Sequence, residues 1–251
     1  MALMEQFRKQ GDFLFRYRSF FPIPFFLVGL GIHIYQQLQA NGNFIPEYYY
    51  AICFGVGLIG LIVRIIIIGY VPKGTSGRNR TEQIANTLNT DGMYSVVRHP
   101  LYVGNFLMWL GIAMIVANIW FIVIFVLAYW IYYERIMYAE EAFLREKFGQ
   151  TYLDWASKVP AFIPCFRKWQ SPNSYFSAKN ALRREYTGLF NLVVVFFLFH
   201  YAQSVIKNDM DFTYLGENEI LWFGILAFTV IFYFTVRILH KGTKLLHVEG
   251  R

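Results

Sequence analysis

The stretch 102–138 stays apolar until Glu134. As one straight helix it would run about 52 Å. That is too long for a hydrocarbon core of about 30 Å, even with tilt. The stretch must therefore turn, and Ala117-Asn118 lies at its middle. The expected result is a helical hairpin with legs of roughly 17–20 residues. Both ends of a hairpin lie on one side of the membrane. Arg98, His99, Pro100, Leu101 and Tyr102 precede the first leg, and Arg135, Glu140 and Glu141 close the second. Two clusters far apart in sequence then become one site in space.

The rest of the chain supplies a membrane setting. Charged residues make up 16% of the 251 and hydrophobic residues 56%, whereas soluble domains carry about 25% charge. Further apolar runs at about 20–38, 48–70, 189–206 and 220–238 bring the expected spans to about six. Lys and Arg cluster in the N-terminus, in the segments 71–101 and 139–188, and in the tail; the segments 39–47 and 117–119 have none. This alternation places both termini in the cytoplasm. The fold class is thus an all-α polytopic membrane protein. It reads as a single domain of N-terminal helices (1–74), a central core (75–165) and C-terminal helices (166–251). The net charge of +7 fits cytoplasmic loops and anionic lipid rather than nucleic acid. No Cys/His cluster has metal-ligand spacing, so no metal is expected.

Two features of the second run need a reading. Gly55, Gly57 and Gly60 match G-x-G-x-x-G, but that pattern binds dinucleotides only between a strand and a helix start. Inside an apolar helix, small residues instead let helices approach. Arg64 is a lone charge near the cytoplasmic end. It either snorkels to the headgroups or takes part in the site. Farther on, Leu144, Phe148, Tyr152, Trp155 and Val159 recur at helical spacing among charges, which predicts one amphipathic interfacial helix.

The central residues suggest a chemistry. Pro100 suits the first turn of a helix, and the residue before proline is driven out of the helical region. A helix start with Arg98 and His99 offers donors to an anionic group, and Glu140 and Glu141 stand opposite as acceptors. A ligand carrying an anionic end together with hydroxyls or a cation fits such a set. Surface charge pairing without function explains the same residues equally well.

Gly92-x-Tyr94, Arg98-His99-Pro100-x-Tyr102-x-Gly104, Glu140-Glu141-x-x-Leu144, Phe148-Gly149-x-x-Tyr152 and Val159-Pro160 resemble the isoprenylcysteine carboxyl methyltransferase and phospholipid methyltransferase family. The resemblance covers about residues 75–165. It implies an integral-membrane enzyme that uses S-adenosylmethionine and methylates a lipid or lipidated acceptor. It also implies a cofactor cradle of Tyr94, His99, Pro100, Leu101, Tyr102 and Glu140, with Arg98 and Glu141 beside it. Asn86-Thr87-Leu88-Asn89 matches the family's cofactor loop by position only. An arginine before the glutamate pair lies near the acceptor in the family. Arg135 is the candidate for that catalytic and substrate role, one residue out from the family's offset, with Arg64 as a second substrate residue. These arginines favour an anionic carboxylate or phosphate.

Thr75-Ser76-Gly77-Arg78-Asn79 with Leu88-Asn89-Thr90 also resembles bacterial members acting on lipid A 1-phosphate, which would put the chain in a bacterial inner membrane; the Lys and Arg alternation turns the site to the cytoplasm. NADPH-dependent membrane sterol reductases share the Arg-His-Pro start, but their later half carries an aspartate pair where this chain has Glu140-Glu141. A transporter would show ionisable groups at mid-membrane and internal repeats; here the charges gather at one face.

Overall fold

The computed structural model describes residues 2–72, 75 and 83–248. Among them all regular structure is helical: α1 (Leu3–Tyr17), α2 (Pro22–Leu38), α3 (Glu47–Tyr70), α4 (Met93–Val96), α5 (Pro100–Ile115), α6 (Ile119–Phe148), α7 (Gln150–Ala156), α8 (Ala178–Lys207) and α9 (Glu217–Gly242), plus one 3-10 turn at Phe166–Lys168. Helices α3, α6, α8 and α9 are long and apolar enough to cross a membrane, and α1 with α2, bent by 67°, would make a fifth span. At 16 residues, α5 is about 24 Å long, shorter than a typical hydrocarbon core.

The hairpin turns where expected. Ala117 adopts φ +53°, and the Asn118 side chain caps α6 by accepting from the Phe121 N–H at 3.0 Å. Tyr102 on α5 and Phe121, Phe125, Tyr129 and Tyr133 on α6 are all buried. They fill the space between the legs as an aromatic core, with the Tyr129 and Tyr133 ring centroids 4.2 Å apart.

Small residues decide which helices touch. A Cβ on Gly60 would lie 2.5 Å from the Gly104 carbonyl oxygen and the Met108 nitrogen, and one on Gly111 would lie 2.5 Å from the Cys53 carbonyl oxygen. Helices α3 and α5 therefore meet backbone to backbone. Gly57 performs the same service for α8, where its Cβ would strike Leu192. The glycine pattern in α3 is a packing device at Gly57 and Gly60, while Gly55 faces open space.

The expected single interfacial helix is broken. Helix α6 runs on to Phe148, Gly149 takes φ +54° and ψ −127°, and α7 starts in a new direction. Side chains with a Cβ rarely adopt that backbone conformation. After α7 the chain folds back along the segment before α5. Arg98 N–H donates to Pro160 O at 2.8 Å, His99 N–H to Ala161 O at 3.2 Å, and Cys165 N–H to Val96 O at 2.9 Å. Gly92, at φ +54°, pairs with Gln170. This irregular strap clamps the start of α5. Helix α8 also begins about ten residues before its apolar run, because Ser177 caps it through the Asn180 N–H and the helix continues past the membrane core.

Candidate active site

One cavity of about 540 Å³ opens beside α5, within the size range of small-molecule sites. It follows α5 from Pro100 to Ile112, about 18 Å along the axis. Its walls change along that path. At the start of α5 they are polar and aromatic: Thr87, Leu88, Asn89, Tyr94, Arg98, His99, Tyr102, Glu140, Tyr152 and Trp155. Deeper they become Met108, Trp109, Ile112 and Leu192, as an alkyl chain would require.

The polar end is a fixed hydrogen-bonded assembly. Pro100 opens α5 and His99 precedes it at φ −119°, ψ 59°, outside the helical region as a residue before proline must be. The buried His99 ring faces both glutamates, with Nε2 3.0 Å from Glu141 Oε1 and Nδ1 3.5 Å from Glu140 Oε2. A carboxylate beside each nitrogen favours the imidazolium form, in which both nitrogens carry a proton to donate. Burial alone would lower the His99 pKa, but the bonds and charges of Glu140 and Glu141 outweigh it and hold the ring above its ordinary value. The Tyr102 hydroxyl donates to Glu140 Oε1 at 2.6 Å. The Tyr129 hydroxyl donates to the Tyr102 carbonyl at 2.7 Å.

Glu140 and Glu141 differ. Glu140 lines the cavity. Glu141 lies behind it, where its Oε1 also sits 3.0 Å from Arg98 Nε. Arg98 reaches on to the Ala156 carbonyl at 2.9 Å, tying α7 in place. The sequence reading set Arg98 and His99 across a ligand from the glutamates. In the structure the two groups bond directly to each other. Glu140, the cavity face of Arg98, and Tyr94, Pro100, Leu101 and Tyr102 remain on the wall.

Arg64 does not snorkel. Its Nε and Nη2 each donate to the Glu185 carboxylate at 2.8 Å, and Nη1 donates to Asn105 Oδ1 at 2.5 Å. All three residues line the cavity. Glu185 is 4% exposed. Losing one member of a buried pair costs about 3–5 kcal/mol. A Cβ on Gly104 would lie 2.6 Å from Arg64 Cγ, so the motif glycine makes room for the arginine stem. The sequence reading missed Glu185 and Asn105. A signal existed: an arginine inside a span needs a partner, and Glu185 is the sole acid between Asp154 and Asp209.

Arg135 is not brought to the cavity. Its guanidinium lies 3.6 Å over the Phe7 ring and pairs with Glu134 at 2.6 Å, on the side of α6 that α1 covers. The reason is helical phase: Glu140 is five residues on, more than one turn, and points to a different face. Of the loop matched by position, Thr87, Leu88 and Asn89 reach the cavity and Asn86 does not. Of Thr75 to Asn79, residues 76–79 lie outside the described residues, and Thr75 lines the cavity. Among the described residues no three His, Cys, Asp or Glu side chains gather as a metal site.

Residues 50–151 match the phospholipid methyltransferase family model. The match begins earlier than the motif resemblance and takes in α3 with Arg64. The chain is 42% identical over 77 residues to the protein-S-isoprenylcysteine O-methyltransferase of Schizosaccharomyces pombe, covering 31% of this chain and 33% of that one. It is 33% identical over 129 residues to a probable protein-S-isoprenylcysteine O-methyltransferase of Oryza sativa, covering 48% of this chain and 64% of the relative. It is 31% identical over 153 residues to the cobalt-zinc-cadmium resistance protein CzcN of Cupriavidus metallidurans, covering 59% and 68%. The chain thus spans about a third of the first relative's length and just under two-thirds of the second's. No solved structure matches.

Proposed function

We infer, for a chain that belongs to the isoprenylcysteine carboxyl methyltransferase and phospholipid methyltransferase family, an integral-membrane methyltransferase that uses S-adenosylmethionine on a lipid or lipidated acceptor. The observation that carries the reading is the single cavity with a polar end at Glu140 and His99 and an apolar end at Met108, Trp109 and Ile112. A water-soluble donor and a lipid acceptor need such a pair of environments in one space.

The residues fit the cofactor by the chemistry of their donor set. Glu140 is a carboxylate acceptor for ribose hydroxyls or an amino group. Arg98 and the start of α5 offer donors to a carboxylate. Tyr94, Leu101 and Tyr102 complete the cradle, and Thr87 to Asn89 face it. When bound, S-adenosylmethionine supplies a methyl group on a sulfonium: an acceptor lone pair forms the new bond to carbon while the carbon–sulfur pair retires onto sulfur. The protein's own task is to position, to exclude water and to set the charge. His99 and Tyr102 hold Glu140 in orientation. Glu141 acts one step removed, by fixing His99 and Arg98. An anionic acceptor oxygen needs no base, and none is assigned. A lipid phosphate such as lipid A 1-phosphate and a carboxylate of a lipidated cysteine both meet that requirement. The polar mouth faces the cytoplasm in this reading, because the basic segments flank it.

The test is calorimetric titration of the purified full chain with S-adenosylmethionine and with NADPH. Binding of the first alone, weakened in Glu140→Gln, is the expected result. Binding of NADPH alone would assign the chain to the reductases and overturn the reading.

A further inference from the structure

Resting on that reading, we propose that Arg64, Glu185 and Asn105 form the subsite for the anionic headgroup of the methyl acceptor, with Glu185 as the positioning residue that aims Arg64. Three observations carry this.

The first is place. Asn105 lies three residues after Tyr102 on α5, one helical turn or roughly 5 Å deeper. Tyr102 holds Glu140, and Asn105 holds Arg64. The cluster therefore sits next to the polar end of the cavity, where that end passes into the apolar wall of Met108, Trp109 and Ile112. An amphiphile with its chain along that wall would bring its head to Arg64.

The second is charge. On the cavity wall Arg64 is paired with Glu185, and Arg98 and His99 are paired with Glu141 and Glu140. With these wall charges paired, bound S-adenosylmethionine brings a net positive charge of its own; an anionic acceptor offsets it, and a neutral or cationic acceptor would leave or increase it.

The third is the construction of the arginine. Glu185 takes Nε and one Nη, and Asn105 takes the other Nη. The guanidinium plane is thereby fixed, while N–H bonds on both Nη atoms stay unused by these partners, since a guanidinium has five. A fixed fork with spare donors matches carboxylate or phosphate oxygens. Because methylation takes one negative charge from the acceptor, leaving a neutral ester from a carboxylate and a monoanionic diester from a phosphate, the product is held less tightly by Arg64, which stays paired with Glu185. The pair thus discriminates substrate from product.

The test uses the full chain in lipid nanodiscs, with three probes of one chain length: N-acetyl-S-farnesylcysteine, farnesyl phosphate, and the neutral amide of the first. Calorimetric binding is measured beside that of S-adenosylmethionine. We expect at least one anionic probe to bind ten-fold or more tighter than the amide. In Arg64→Gln that preference disappears while S-adenosylmethionine affinity changes less than two-fold. The double variant Arg64→Met/Glu185→Leu, which leaves no unpaired charge, gives the same result if the single variant does not fold. Tighter binding of the carboxylate probe assigns a lipidated cysteine, and tighter binding of the phosphate probe a lipid phosphate. No anion preference in the native protein, or a preference that survives either variant, overturns the subsite. Loss of cofactor binding in the double variant overturns it too, by moving the cluster to the cofactor. Failure of the native protein to bind S-adenosylmethionine would instead overturn the methyltransferase reading.

Discussion

The residue that sets the state of the polar end is His99. Two carboxylates favour its charged form against the cost of burial. The sign follows from the raised pKa. In the unfolded chain the ring titrates near 6.5, so the stabilising bonds are fully present below that pH. They are lost as pH rises through the higher folded value. Thermal stability is therefore expected to fall as pH rises from about 6.5 through the raised folded value, and His99→Gln to flatten that fall; equal pH profiles for the two proteins would remove His99 from this role. Glu140→Gln should weaken S-adenosylmethionine binding about 10- to 100-fold, the worth of one charged hydrogen bond, with insertion and purification unchanged. Arg135→Gln, with its guanidinium over Phe7, should leave the same affinity unchanged, and a loss there would restore Arg135 to the site.

At the scale of elements, the contact of α3 with α5 positions both halves of the cavity, and two glycines permit it. Gly60→Ala would push a Cβ onto backbone atoms of Gly104 and Met108. Overpacking of this kind costs about 1–3 kcal/mol, read as a lowered Tm in detergent. Gly55→Ala, in the same G-x-G-x-x-G pattern but facing open space, should leave Tm unchanged. If both variants behave alike, the packing account of the pattern is wrong. The turn of the hairpin holds a smaller reserve. Ala117 sits at φ +53°, where a Cβ costs roughly 1 kcal/mol, so Ala117→Gly should raise Tm.

The whole molecule is a bundle in which α1 lies along the end of α6. Arg8 pairs with Glu146, the Tyr132 hydroxyl donates to the Leu14 carbonyl at 3.0 Å, and Phe15 and Arg18 reach the cavity wall. The α1–α2 bend therefore closes the cavity on one side. On the topology argued from basic residues, Asn43→Cys is labelled by impermeant thiol reagents only from outside the cell, and Thr243→Cys only after the cytoplasmic face is opened. The reverse pattern would turn the bundle over.

The sequence by itself determined the helical class, the hairpin and its turn, and the meeting of the His99 cluster with Glu140 and Glu141. Those follow from bilayer thickness and from the short reach of a turn, which are local constraints. It also carried the packing meaning of Gly57 and Gly60. The tertiary structure alone decided which way the lone charges point. Arg64 turns inward because α8 presents Glu185 to it, and Arg135 turns away because α1 covers that face of α6. The break at Gly149 and the strap along residues 157–170 were likewise invisible, since their hydrogen bonds go to residues 92–99. In each case the deciding partner lies far along the chain, and the packing of the helices, rather than any period in the sequence, brings it near.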